Sequence, residues 1–156
     1  MTPAIPTRLL EAVYAHAEET YPEECCGFLT GAKDAAVTEQ RRVPNRQNEL
    51  HAADPLQFPR DARTAYNMGA SDLLFLDKSL SSLNPVQIIY HSHCDVGAYF
   101  SAEDERAATY DGVPLYPTDY LVIDVQKGKA LGAKLFRFDD ATGRFAVIAD
   151  FGPPVR

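Results

Sequence analysis

His91 and His93 stand two residues apart in the stretch YHSHCDVGAYFSAEDER (residues 90–106), which holds half of the chain's four histidines. Ser101 and three carboxylates, Glu103, Asp104 and Glu105, follow within it. Residues two apart on a β-strand project from the same face, so a strand running through His93 turns both imidazoles toward one point. Two imidazoles and a carboxylate suit Zn2+, and three protein ligands leave a fourth position open, as a hydrolytic centre needs. Asp104, in the first turn of a following helix, is positioned to fold back as the third ligand. A metal-free reading fits the same residues. Ser101-Ala-Glu-Asp104 has the spacing of a capping box, whose serine and acid satisfy backbone donors at a helix start, and a His-x-His pair can be two surface histidines on one strand. At this point both readings stand.

Hydrolysis by a metal-activated water also needs a carboxylate that takes a proton and returns it to the leaving group. Glu23 and Glu24 lie just after Pro22, at an abrupt junction before the first apolar strand. Either could be that group, or both could be a solvated helix end.

The elements that must position these residues are readable in outline. Residues 7–20 carry Leu10, Val13, Tyr14 and Ala17 at helical spacing, with Thr7 as N-cap and Pro22 as stop. Strands are expected at 27–31 and 35–43, then a polar loop from Pro44 to about Arg60 with one helical turn. Helical patterns follow at 61–69 and 72–83, ended by Asn84-Pro85. VQIIYHS (86–92) is an apolar, β-branched run of the kind that forms a buried central strand. Ser101 opens a helix to about Tyr110, and strands follow at 119–126, 130–139 and 144–150, joined by hairpin turns. The pattern predicts one domain over 1–156, of mixed α/β class with a mixed sheet.

Composition narrows the function. A chain of 156 residues with 46% apolar and 24% charged residues can build a full core. A net charge of −7 without a Lys/Arg run argues against nucleic acid as partner. No apolar run approaches the ~20 residues needed to span a bilayer, so no membrane role is expected. Three cysteines, two of them adjacent, make a poor disulfide framework and point to a reducing, cytoplasmic setting. Nothing in the sequence speaks to oligomeric state.

Taken together, these residues resemble the JAMM/MPN+ zinc metalloprotease signature: an upstream Glu, then His-x-His, seven residues, Ser, two residues and Asp. Here His91-Ser92-His93 is followed by residues 94–100, Ser101, Ala102-Glu103 and Asp104. The family's Pro-x-Glu-x-Cys-Gly element is similar to Pro22-Glu23-Glu24-Cys25-Cys26-Gly27, which selects Glu24 over Glu23. Tyr90 stands where an aromatic or apolar residue commonly precedes the histidines. The resemblance implies that His91, His93 and Asp104 ligate one Zn2+ with water as fourth ligand. It implies Glu24 as general base and then acid, and Ser101 as a donor to the oxyanion. It further implies a three-layer, cytidine-deaminase-like fold, with a central mixed sheet flanked by helices and the site at a strand end.

The activity implied is a zinc-dependent metallopeptidase, of the bacterial stand-alone type, that uses zinc-activated water. It would hydrolyse the peptide or isopeptide bond after the C-terminal Gly-Gly of a ubiquitin-like or sulfur-carrier protein. An extended tail ending in two small residues needs a narrow channel, with edge-strand pairing a natural way to hold it. The 44–60 loop is either part of that wall or a plain connection. A non-catalytic MPN-type protein-binding scaffold is the alternative; scaffold members typically lose ligands, whereas Glu24, His91, His93 and Asp104 are all present. A zinc deaminase would want a Cys-x-x-Cys, and none exists here. Two positions depart from the family pattern: Cys94 and Phe100 stand where many members have proline. Cys94 is expected to be packed or loop-exposed rather than a fourth ligand, and Cys25 and Cys26 to be small core residues. His51 is expected at the surface and His16 on the first helix.

Overall fold

The computed structural model describes residues 4–155; residues 1–3 and 156 of the expected 1–156 domain lie outside the described residues. Helix α1 (Thr7–Thr20) buries Leu9, Val13, Tyr14, His16 and Ala17 along one face. Thr7 is not its cap: Pro6 holds the N-cap position without a side-chain hydrogen bond, and its carbonyl accepts from Leu9 N and Leu10 N. Strands β1 (Cys26–Thr30) and β2 (Glu39–Val43) follow, then α2 (Gln47–Ala53) and α3 (Ala70–Ser79). The central strand β3 (Val86–Cys94) leads to α4 (Ala102–Ala108) and a two-strand hairpin, β4 (Thr109–Tyr110) and β5 (Val113–Pro114). The chain closes with β6 (Asp119–Gln126), β7 (Lys129–Asp139) and β8 (Arg144–Phe151).

Six strands form one mixed sheet in the order β2-β1-β3-β6-β7-β8. β3 and β6 pair in parallel and the other neighbours are antiparallel. A parallel neighbour needs a crossover rather than a tight turn, and α4 lies in that crossover. Each face of the sheet carries a core. On one, α1 packs over Leu29, Ile88, Tyr90, Leu121 and Ile123. On the other, Phe28, Ile89 and Val122 meet Leu76 of α3 and Ala108 of α4. Cys25 and Cys26 fall into these two opposite cores as small buried residues, and all three cysteines are free thiols. Among the described residues, no helix is long and apolar enough to cross a membrane.

The expected helix over 61–69 is absent, and the 44–60 stretch holds two turns of helix rather than one. Asparagine side chains hold this stretch in its extended path, and one of them takes the Asn67 N–H that a helix over 61–69 would have used. Asn48 Oδ1 accepts from Ala62 N at 2.8 Å, and Asn45 Oδ1 accepts from Gln47 N and Asn67 N at 3.0 and 3.1 Å. Strand β2 starts at Glu39 rather than residue 35, and α3 starts two residues earlier than expected and ends at Ser79.

Gly27 pairs with Tyr90 across β1 and β3. The Tyr90 ring lies flat across it, and a Cβ on residue 27 would sit 2.4 Å from the ring's outer atoms. That ring cannot swing aside, because its buried hydroxyl meets His16 Nδ1 at 2.6 Å and Gln40 Nε2 at 3.0 Å. Gly27→Ala is therefore expected to destabilise the protein by about 1–3 kcal/mol, the usual cost of overpacking. Urea or thermal unfolding measures it, and an unchanged midpoint would show that the Tyr90 network gives way freely.

Candidate metal centre

β3 carries His91 and His93 on the same face, as the two-residue spacing requires, and both are buried. Asp104 reaches them from the first turn of α4. Ser101 is the N-cap of that helix: its Oγ accepts from Asp104 N at 3.0 Å, and Asp104 Oδ2 accepts from Ser101 N at 3.0 Å. The capping box and the candidate ligand cluster thus share Asp104. The cap fixes the Asp104 carboxylate while its oxygens face the histidines.

His91 Nε2 lies 3.1 Å from Asp104 Oδ1, His93 Nε2 lies 3.1 Å from Asp104 Oδ2, and the two Nε2 atoms are 3.3 Å apart. A tetrahedral zinc site with bonds of about 2.0–2.1 Å has ligand-to-ligand edges of about 3.3 Å. The donor set therefore fits such an ion in type and spacing, and these are the three residues whose ligand atoms cluster within 4.8 Å. Gly97 O lies 3.0 Å from His93 Nδ1 and accepts a proton held there, which makes Nε2 the ring atom available to a metal. His91 Nδ1 has no hydrogen-bond partner among the described residues. Burial would raise the Asp104 carboxyl, but the charge of His91 and hydrogen bonds from both histidines overcome it, holding the group well below the ordinary carboxylate range.

Glu24 is buried beside this cluster without joining it. The β1–β3 register sets its place: Cys26 lies opposite His91 in an antiparallel pair, so two further residues back along the chain bring Glu24 across from His93. Ser92, the residue between the histidines, locks that junction. Its Oγ accepts from Cys25 N at 2.8 Å, while Ser92 N donates to Cys25 O at 3.1 Å. Asn45 Nδ2 donates to Glu24 O, and Glu24 N donates to Ala62 O. Burial, with the Asp104 charge adding to it and Arg60 opposing, pushes the Glu24 carboxyl up to about 9. Glu23 instead sits outside, accepting from Asn48 Nδ2.

Two tyrosines flank the histidine pair, and sequence spacing gave no sign of either. Tyr66 stacks on His91 with ring centroids 4.5 Å apart, and Tyr99 meets His93 edge-on at 4.9 Å. Desolvation in its partly buried position, with neighbouring Tyr120 and Asp104 adding to it, holds the Tyr66 phenol well above its ordinary value, so it stays protonated. Cys94 lies outside the ligand cluster, and burial pushes its thiol up to about 12. His51 is half-buried rather than at the surface, its Nδ1 2.7 Å from Phe58 O. His16 lies on α1, buried against Tyr90 and away from the cluster.

Two cavities lie at or beside the centre, and only the first of them reaches one of the clustered residues. One, of about 210 Å3, is lined by Gln47, Phe58, Arg60, Tyr66 and Asp104. The other, of about 530 Å3, is lined by Pro22, His51, Arg60, Arg63, Cys94 and Asp95. Residues of the 44–60 stretch thus wall both. A third cavity of about 470 Å3 lies at the opposite end of β3, around Val86, Tyr116 and Asp119, and holds none of the clustered ligands.

Residues 6–135 match the family described as prokaryotic homologs of the JAB domain. Curated relatives named CysO-cysteine peptidase, from Mycobacterium bovis and Mycobacterium tuberculosis, are 29% identical over 102 residues. That match covers 65% of this chain and 62% of theirs, so the chain spans less than two thirds of their length. A Desulfitobacterium hafniense protein has a similar solution structure, with TM-score 0.64, 21% identity, and coverage of 94% of this chain and 89% of the other. One from Salinibacter ruber gives 0.62 and 23%, covering 96% and 91%. The crystal structure of a JAB1/MPN domain protein from Archaeoglobus fulgidus gives 0.53 and 16%, covering 92% and 94%. At these identities the structural likenesses are likenesses of fold.

Proposed function

Because the chain belongs to the family of prokaryotic JAB-domain homologs, we propose that it is a zinc-dependent peptidase centred on His91, His93, Asp104, Glu24 and Ser101. The observation that carries this reading is the convergence of three buried ligand atoms within 4.8 Å of one another, with a buried carboxyl beside them that is not itself a ligand. When bound there, zinc supplies Lewis acidity, which acidifies water and polarises a carbonyl.

This chain's own groups do the rest. Glu24 holds a proton tightly while its surroundings are negative, and a neighbouring cation counters that shift. It is therefore the group able to take a proton at neutral pH and hand it to the departing amine. Ser101 Oγ already accepts from Asp104 N, so its own O–H remains free to donate to the oxygen that becomes negative as the amide carbon turns tetrahedral. Tyr66 and Tyr99 keep the imidazoles in place and limit water around them.

The relatives support the substrate class. Mycobacterial proteins named CysO-cysteine peptidase speak for a sulfur-carrier protein as partner, and the cut after a terminal Gly-Gly is what the resemblance to the JAMM/MPN+ signature implies. We place the reaction in a reducing cytoplasm, where the three thiols stay free.

Intact-mass measurement on a carrier extended beyond Gly-Gly tests this reading. The expected product ends at Gly-Gly and has lost the mass of the extension. A carrier that is bound but unchanged in mass would point instead to a non-catalytic scaffold.

A further inference from the structure

Arg60 lines the cavity that opens at the metal centre, which it shares with Asp104 and Tyr66, and also borders the neighbouring cavity around Pro22 and Cys94. Its charge reaches Glu24 strongly enough to oppose the upward shift of that carboxyl. The acids around it already have other partners. Asp61 is paired with Arg63 at 2.8 Å. Asp95 accepts from the Tyr21 hydroxyl at 2.6 Å and from Lys127 N at 2.8 Å. Glu103 is paired with Arg106, and Asp104 belongs to the histidines. Among the described residues Arg60 forms one side-chain hydrogen bond, a long one of 3.4 Å to Thr64 O, and no ion pair. Among the described residues an acidic protein of net charge −7 thus leaves an arginine at its site in no ion pair, with only the charge of Glu24 in reach.

We infer that Arg60 is a specificity residue whose guanidinium takes the free α-carboxylate of a single residue released after the Gly-Gly end. The inference rests on the peptidase reading above and deepens it. Hydrolysis adds water across the amide: the oxygen stays on the glycine carboxylate, the C–N bond breaks, and the amine leaves with a proton. If the leaving group is one amino acid, its α-carboxylate lies only two bonds beyond the scissile nitrogen, so a cation beside the centre meets it directly. A lysine side chain in an isopeptide, or a continuing chain, presents no charge at that point. An arginine fork matches a carboxylate with two parallel hydrogen bonds, which makes it selective as well as attractive.

The test uses one bacterial sulfur-carrier protein ending in Gly-Gly, made as a thioester and ligated either to cysteine or to cysteinamide. The two substrates differ only in the terminal charge. The zinc-loaded protein is expected to cleave the acid about tenfold to a hundredfold faster in kcat/KM than the amide, the range of a charged hydrogen-bonded contact. Arg60→Gln should bring the acid-to-amide ratio of kcat/KM to about one, whatever its effect through Glu24 on the rate common to both substrates. Arg60→Lys, which keeps the charge but not the fork, should retain part of the preference. The same acid-over-amide preference should appear as a ratio of Kd values on a Glu24→Gln background, where no turnover intervenes. Equal cleavage of acid and amide by the wild type overturns this inference and leaves the peptidase reading intact. So does a preference that survives in Arg60→Gln, or an equal loss on both substrates. Cleavage of neither substrate overturns the peptidase reading, and this inference with it.

Discussion

Glu24→Gln is expected to keep the metal with wild-type affinity and to lower peptidase turnover by about a hundred- to ten-thousandfold, the range for a positioned general acid–base. The amide is close in size to the carboxyl and Glu24 is not one of the clustered ligands, so the ion's coordination is left alone while the proton carrier is removed. A zinc titration and an intact-mass assay on one preparation separate these effects. Retained turnover would take Glu24 out of its role; loss of metal would make it a ligand.

The same substitution has an opposite signature in the metal-free protein. The Glu24 carboxyl is raised from about 4.5 unfolded to about 9 folded. Between those values the folded state binds more protons than the unfolded one, so stability falls as pH rises. Glutamine does not titrate. Metal-free Glu24→Gln should therefore match wild type near pH 5 and exceed it near pH 8 by an amount on the order of a few kcal/mol. Urea unfolding in the presence of chelator reads the difference. A constant gap across that window would mean that Glu24 ionises normally in the folded protein.

His93→Ala is expected to weaken zinc binding by more than about a hundredfold, since even outer partners of metal ligands are worth tenfold to a hundredfold. The change removes one of three donors and one of the hydrogen bonds to Asp104. It also frees the Gly97 carbonyl that now meets His93 Nδ1. Competition against a chromophoric chelator measures the loss, and wild-type affinity in the variant would remove His93 from the ligand set. His91→Ala should behave alike.

Where the chain's local chemistry is strong, the site was legible before the fold was known. An apolar, β-branched run identified β3 as buried, and strand geometry then put His91 and His93 on one face. The Ser101–Asp104 spacing signalled a capping box, and in the structure the same Asp104 that closes the cap also faces both histidines. Glu24 was distinguishable from Glu23 only through the family motif. Its burial depends on the register between β1 and β3, which no local pattern encodes.

What stayed hidden depends on long-range contacts of residues that look ordinary in sequence. Residues 61–69 have a helical pattern of apolar positions, yet Asn45 draws off the Asn67 donor that a helix would have used, and Asn48 ties down Ala62 from across a loop. That extended path brings Tyr66 onto His91. Ser92 reads as the filler of His-x-His, but its hydroxyl fastens the segment carrying Glu24. Arg60 is one arginine in a polar stretch, and its lack of an ion pair among the described residues becomes visible only once the neighbouring acids are seen to be paired.

Stripping the protein of metal and adding zinc back in sub-stoichiometric steps, while following a Gly-Gly-Cys-ended carrier by intact mass, tests the zinc peptidase centre most directly. Cleavage should vanish with the metal, return in proportion to zinc up to one equivalent per chain, and leave a product ending at Gly-Gly. Cleavage that persists in the stripped protein, or a carrier left intact at full zinc loading, would contradict it.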